Sequence, residues 1–284
     1  MDYVRWHDHP KLKRPVLVAA FEGWNDAADA ATSAARFLRD HWDARHFADV
    51  DPEEFYDFSS TRPQVRLADG LTREIVWPAN EFYAASVPGS DHDIIVLLGV
   101  EPGLKWRTFC TGIVGVGREL GVELFITLGA LLADVPHTRP VRVTGTAADP
   151  ELVQRLGLQR SSYEGPTGIV GVLHDAFSTA KVPSASLWAA VPHYVAATPS
   201  PKATLALVER AAELLGSSVP TTALEIAAAS YERQVSEVVE SDDDVSEYVH
   251  RLEESSDEDD DIELPSGEAL AADFERYLRE QQGD

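Results

Sequence analysis

The chain of 284 residues holds a single cysteine, Cys110. One thiol excludes an internal disulfide framework and a cysteine-ligated zinc site, and it suits a reducing cytoplasm. Long apolar runs are missing too: none approaches the roughly 20 consecutive apolar residues that a membrane-spanning helix needs. The opening MDYVRWHDHP has no apolar h-region, so secretion is not expected and no membrane partner is assigned. Basic residues are scarce, 24 Lys and Arg against 48 Asp and Glu, for a formal charge of -24. That balance argues against nucleic-acid binding, which needs Lys and Arg gathered along a groove, and favours partners with basic surfaces. The charge is concentrated at one end, since Glu232 to Asp284 carries 20 acids and 4 arginines, which leaves a mildly acidic body.

What is present is an ordinary apolar fraction, 44%, in a chain long enough to bury a substantial core. Short apolar runs alternate with helical patterns. PVLVAAF (15–21), DIIVLLGV (93–100), ELFITLGA (123–130) and SASLWAAV (184–191) read as strands buried on both faces. Helices are predicted at 26–39, 104–120, 168–180, 201–215 and 223–239. The fold class is α/β: a largely parallel central sheet with helices on both faces in three layers. Between 46 and 78, HFADV, QVRL and REIVWP alternate in shorter steps, which predicts antiparallel or edge strands. Residues 1–239 form the α/β domain with its last helix, and no further boundary shows within it. Residues 240–267, rich in like charges, read as an acidic, disordered linker. In 268–284, Leu270, Phe274, Tyr277 and Leu278 recur at helical spacing, which predicts a short amphipathic helix that docks on its own domain or on a partner.

In open parallel sheets, ligands bind beyond the carboxyl ends of the strands. EGWND (22–26), GVEPGLKW (99–106), ADVPHTRP (133–140) and VPHYV (191–195) each follow a predicted strand, and YEGPTGI (163–169) opens a helix. If the strands are parallel neighbours these loops share one rim. The candidate pocket is then Glu22, Gly23, Trp24, Asn25, Asp26, Glu101, His137, Arg139, Gly165, Thr167, His193 and Tyr194. The first turn has one glycine and no lysine, and its acids Glu22, Asp26 and Asp29 suit the positive end of a helix, so it stabilises the helix start and repels a phosphate. Trp24 is either a packing anchor or a surface on which a base or sugar stacks. His137 and His193 are either satisfied structural histidines or a base or ligand pair, and no third ligand stands at a recognisable spacing. His174 lies mid-helix and reads as structural. No GxSxG elbow marks a serine hydrolase. Gly112, Gly115 and Gly117 fall within or near a helix and serve close packing rather than dinucleotide binding. No cofactor or metal is assigned.

Four segments in order carry a family resemblance: AFEGWNDAADAA, LLADVPHTRPVRVTGTA, YEGPTGIVGVLHDAF and SASLWAAVPHYVAATPSPKATLALVERAAELL. Over roughly residues 12–238 the chain resembles the PAC2 family, the proteasome assembly chaperone 2 superfamily, in its actinobacterial branch. The resemblance implies a three-layer α/β domain similar in fold to the nucleoside phosphorylases, frequently assembled as a homotrimer. Eukaryotic and archaeal members are linked to proteasome assembly, and bacterial members have no established reaction. Some relatives dock on the proteasome through a hydrophobic residue, a tyrosine and a final residue; this sequence ends QQGD, so that mode is not expected.

Two readings of function follow. One is a non-catalytic protein-binding or assembly factor, with proteasome-related or other protein partners. The other is a binding protein for a nucleoside-like or sugar-like molecule, or an N-glycosidic hydrolase or phosphorylase. In the latter Glu101 would act as acid or base, and a phosphate would need Arg139 with the Gly165 to Gly168 turn.

Overall fold

The computed structural model of the chain describes residues 3–161, 163–195 and 199–258. After a short β1 (Val4–Trp6), β2 (Val16–Glu22) forms from the first apolar run. Val16, Val18 and Ala20 enter one core while Leu17, Ala19 and Phe21 enter the other, as the two-residue period of a strand requires. A 3-10 turn, Ala27–Asp29, leads into α1 (Ala30–His41). The buried stripe of α1 is Ala30, Ala31, Ala34, Ala35 and Leu38, mostly alanine, so the helix buries a face with few long side chains between it and the sheet.

The antiparallel part predicted between 46 and 78 is β3 (Arg45–Val50), β4 (Gln64–Ala68) and β5 (Thr72–Val76). It is completed by β6 (Asn80–Ala85), which the sequence reading did not mark. Then come β7 (Ile94–Val100) and α2 (Trp106–Glu119), which starts after Lys105 in a left-handed conformation. β8 (Leu124–Ala133), β9 (Val143–Ala147), α3 (Pro150–Leu156), α4 (Ile169–Thr179) and β10 (Ser184–Pro192) follow. α5 (Pro201–Leu214), α6 (Thr222–Glu240) and α7 (Asp243–Glu258) end the described chain.

Eight strands form one sheet in the order β1-β3-β6-β7-β2-β8-β10-β9. The central β7, β2, β8 and β10 are mutually parallel, and the strands outside them are antiparallel on both sides. Alanine-rich α1 and α5 cover one face. The other face packs Phe21, Phe82 and Phe125 against Phe109 and Ile113 of α2 and Leu173 and Phe177 of α4. The three layers expected from the sequence are therefore present. Gly117 of α2 sits where an added Cβ would be 3.0 Å from the Phe177 ring, so close helix packing is what that glycine permits.

The acidic segment differs from its expectation. Residues 243–258 are not a disordered linker but the helix α7, because an apolar stripe runs through the acids: Val249 is buried and Val245 half-buried against Tyr231, Val235 and Val239. Asp242 caps it by accepting from the amides of Asp244 (3.0 Å) and Val245 (3.2 Å), and Asp243 and Asp244 favour the positive helix end. Residue 240 of the expected linker ends α6, whereas its residues 259–267 and the expected helix at 268–284 lie outside the described residues.

Candidate functional site

Because the four central strands run parallel, EGWND, EPGLK, ADVPHTRP and VPHYV leave the same edge of the sheet. The side chains on this rim are held in two groups.

The first lies between the ends of β2 and β7 and the start of α4. The Glu101 backbone amide donates to Glu22 O (2.9 Å), which fixes the two turns together. The Glu101 carboxylate accepts from the Ile169 amide at 2.7 Å, from Asn25 Nδ2 at 3.3 Å and from the Trp24 backbone amide. It therefore neutralises the N-terminus of α4, whose residue Gly168 supplies no side-chain cap. Burial pushes the Glu101 carboxyl above its usual range, and the two amide bonds act against that. Gly168 is required here by contact: a Cβ would stand 2.0 Å from Asn25 Nδ2 and 2.7 Å from Glu101 Oε1. Gly165 and Thr167 are exposed beside this group. The amide that a phosphate would need is taken by a carboxylate, so the turn at Gly165 to Gly168 is built against anions.

The acids of the first turn have separate tasks. Asp26 is buried and reaches across the 3-10 turn, accepting from the amides of Ala31 (2.7 Å) and Thr32 (3.1 Å) and from the Thr32 hydroxyl. Burial raises its carboxyl to about 6. Glu22 is exposed and ion-paired with Arg36. Gly23 takes a positive φ of 134° that favours glycine, and Trp24 is half-buried at the rim. The reading of these acids as helix-start stabilisers applies to Asp26, not to Asp29, whose side chain makes no cap bond.

The second group lies at the ends of β8 and β10, against α5, α6 and α7. The Ser236 hydroxyl donates to the Glu232 carbonyl (2.9 Å), so its oxygen accepts from His137 Nε2 at 3.0 Å. Nδ1 of the same ring then accepts from the Tyr194 hydroxyl at 2.9 Å, and that oxygen accepts the His137 amide at 2.8 Å. Both ring nitrogens are used by the neutral tautomer, and burial together with nearby Lys202 holds the imidazole below its usual range. Lys202 donates to the His137 carbonyl (2.6 Å) and is ion-paired with Glu232. His193 lies 3.2 Å from Asp134, which also accepts from Tyr248 of α7 at 3.1 Å. Glu253 of α7 accepts from Thr138 and stands 3.8 Å from Arg139. Thus α7 packs over this half of the rim with Glu253 turned to Thr138 and Arg139.

Sequence reasoning missed Lys202, Glu232, Ser236, Tyr248 and Glu253, which lie on helices far along the chain. It also missed Tyr56, whose hydroxyl donates to Val100 O at 2.6 Å and accepts from Asn80.

One more feature rises from the same edge. β4 and β5 form a ribbon apart from the main sheet, turned by Asp69 and Gly70, both at positive φ. Val65 opposes Ile75 on one face with Leu67 beside them, and they are 58, 53 and 54% exposed. Leu71 at the tip is 88% exposed. The other face carries the Arg66–Glu74 pair. Trp77, edge-on to Phe58 at 4.8 Å, fixes the ribbon's base.

These elements define an α/β sheet protein whose parallel centre ends in a polar rim, with an exposed apolar ribbon rising beside it. The PAC2 family model matches residues 20–239, and the chain belongs to the PAC2 family. A PAC2 family protein of Streptomyces avermitilis is 46% identical, with 83% of this chain and 99% of that one covered and a TM-score of 0.77. A Mycobacterium tuberculosis proteasome-assembly chaperone homologue is also 46% identical, over 82% of this chain and 99% of that one, TM-score 0.76. A Corynebacterium glutamicum protein of unknown function is 27% identical over 90% and 97%, TM-score 0.82. No curated protein matches. No helix among the described residues is long and apolar enough to cross a membrane.

Proposed function

We propose that this chain is a protein-binding assembly factor linked to the proteasome, with the β4–β5 ribbon as the surface that meets a proteasome subunit. The observation that carries the reading is the ribbon's apolar face. An isolated two-stranded ribbon is marginal in water, and contiguous exposed apolar surface marks protein contacts. The ribbon is also electrically balanced, Arg66 and Arg73 against Asp69 and Glu74, within a chain of -24. Other proteins therefore meet it without the repulsion that the acidic body would impose. The Mycobacterium tuberculosis homologue supports the class of partner. Self-association as a homotrimer in the cytoplasm belongs to the same proposal.

The test is co-purification of the tagged full-length chain with co-expressed proteasome subunits from its own or a related genome, for the wild type and for Val65→Ser, Leu67→Ser, Ile75→Ser combined. The reading expects subunits to accompany the wild type and to be lost from the variant, whose melting temperature stays unchanged. Equal recovery with both chains, or with neither, overturns it. Light scattering on both chains separates the other occupant: a mass that drops only in the variant makes the ribbon a self-interface.

The second reading, a nucleoside-like or sugar-like ligand or its N-glycosidic cleavage, is favoured by one observation, the raised Glu101 carboxyl at the rim. Thermal-shift measurements with nucleosides and sugars test it, since a ligand that binds only the folded state raises the melting temperature. Flat responses at millimolar ligand remove it.

A further inference from the structure

The edge of the sheet far from α5 and α6 holds a group of side chains that neither the fold nor the rim uses. Among the described residues, donor atoms of His7, His46 and Asp49 all lie within 4.8 Å of one another. Their meeting has a specific backbone cause. Residues 46 and 49 of a regular strand point to opposite faces, because the side-chain period is two. β3 carries a bulge between His46 and Ala48, so that His46 pairs with Tyr83 while Asp49 pairs with Glu81. Tyr83 and Glu81 are two apart on β6 and share a face, so the bulge brings His46 onto the face of Asp49. β1 pairs Arg5 with Asp49, and His7, two residues on, returns to the same side; its amide donates to Phe47 O at 2.8 Å. The result is two imidazoles, 5.0 Å between ring centres, with the His7 ring hydrogen-bonded to the Asp49 carboxylate.

We propose that His7, His46 and Asp49 form a site for a divalent transition-metal ion of the zinc, cobalt or nickel type. Two imidazoles and one carboxylate are a donor set such ions take, and hard cations such as calcium and magnesium prefer all-oxygen sets. Ligands at about 2.1 Å around a tetrahedral ion stand about 3.4 Å apart. Rotating the exposed His7 and His46 rings closes the remaining gap without moving the backbone, which the β1–β3 and β3–β6 pairings hold. Three protein ligands leave a position open for water or for a donor from another molecule. Glu81 stands opposite Asp49 on the adjacent strand, with its carboxylate accepting from the Tyr83 hydroxyl at 2.7 Å.

The site is tested by titrating the metal-free full-length chain with Zn²⁺ by calorimetry and with Co²⁺ by visible absorption, alongside His7→Ala, His46→Ala and His9→Ala. His9 pairs with Glu119 outside the cluster and serves as the control. The wild type and His9→Ala take up one equivalent with micromolar or tighter affinity and show the Co²⁺ bands of a nitrogen-containing site. His7→Ala and His46→Ala lose that equivalent or weaken it at least about tenfold. Their circular dichroism and melting temperature without metal match the wild type, since these side chains are exposed. Zn²⁺ raises the melting temperature of the wild type and of His9→Ala but not of His7→Ala or His46→Ala, whereas the response to Ca²⁺, which the acidic tail attracts, does not depend on the histidines. Zn²⁺ uptake equal in all four chains, or no equivalent tighter than millimolar in the wild type, overturns the proposal.

Discussion

Asp26→Ala removes a carboxylate that serves three buried donors: the Ala31 amide, the Thr32 amide and the Thr32 hydroxyl. Thr32 is fully buried and Asp26 is 6% exposed, so water does not replace the lost partner. A buried donor left unpaired costs about 1–3 kcal/mol, and a helix cap is worth about 1 kcal/mol, so the three together come to about 2–4 kcal/mol after local relaxation. The cost depends on pH, with a definite sign. The Asp26 carboxyl titrates at about 6 in the folded chain against 3.8 when unperturbed, because burial penalises the ion. The folded state therefore holds its proton longer than the unfolded state, and this group's contribution is greatest below 3.8 and declines as pH rises towards 6. At about 1.36 kcal/mol per pH unit, the wild type loses about 1.4 kcal/mol through Asp26 between pH 5 and pH 7, which the alanine variant does not lose. Urea unfolding of both chains followed by circular dichroism at the two pH values reads this directly. The expected penalty is about 2–4 kcal/mol at pH 5, smaller at pH 7. A penalty under about 0.5 kcal/mol at pH 5 refutes the assignment of Asp26 as the cap of α1, and one that grows with pH refutes burial as the dominant influence on its carboxyl.

Gly168→Ala keeps an accessible backbone, φ -89°, but drives a methyl into Asn25 and Glu101. Overpacking of this kind costs about 1–3 kcal/mol, read as a lowered melting temperature, and an unchanged value contradicts the placing of Glu101 at the start of α4. His137→Phe strips Ser236 and Tyr194 of their ring partner and lowers stability at neutral pH by about 1–3 kcal/mol. The imidazole is held below its ordinary 6.5 in the folded chain, so its contribution is present above 6.5 and is lost as pH falls. An NMR titration midpoint for His137 above 6.5 contradicts that network.

The central strands were legible because β2, β7, β8 and β10 are buried on both faces and read as continuous apolar runs. The turn after β2 was legible as a helix start, although the acid that caps it is Asp26 rather than its neighbours. β9, sequence VTGTA, escaped because an edge strand with threonine and glycine carries little apolar signal. α3 escaped although Asp149 accepts from the amides of Glu151 and Leu152, and Pro150 opens the helix, a start signal that seven residues of weak periodicity did not reinforce. α7 was hidden by its charge: Val245 and Val249 lie among acids, and what they pack on, α6 with Tyr194 and Val195, is supplied by the fold. At the rim the sequence placed the loops on a common edge but not their bonds. Glu101 meets the start of α4 across 68 positions, and His137 meets Ser236 across 99, distances over which no local pattern carries information. The histidine–aspartate group at the β1–β3 edge depends on a bulge, which periodicity does not register.

Residues 64–77 are the proposed contact surface. Hydrogen–deuterium exchange on the full-length chain, alone and with added proteasome subunits, tests it most directly. The ribbon's exposed amides exchange fast in the isolated chain, and the account predicts that β4, β5 and the Leu71 tip slow on addition of partner while the rim peptides 99–106 and 133–140 stay as they were. Protection confined to those rim peptides, with the ribbon unchanged, contradicts it.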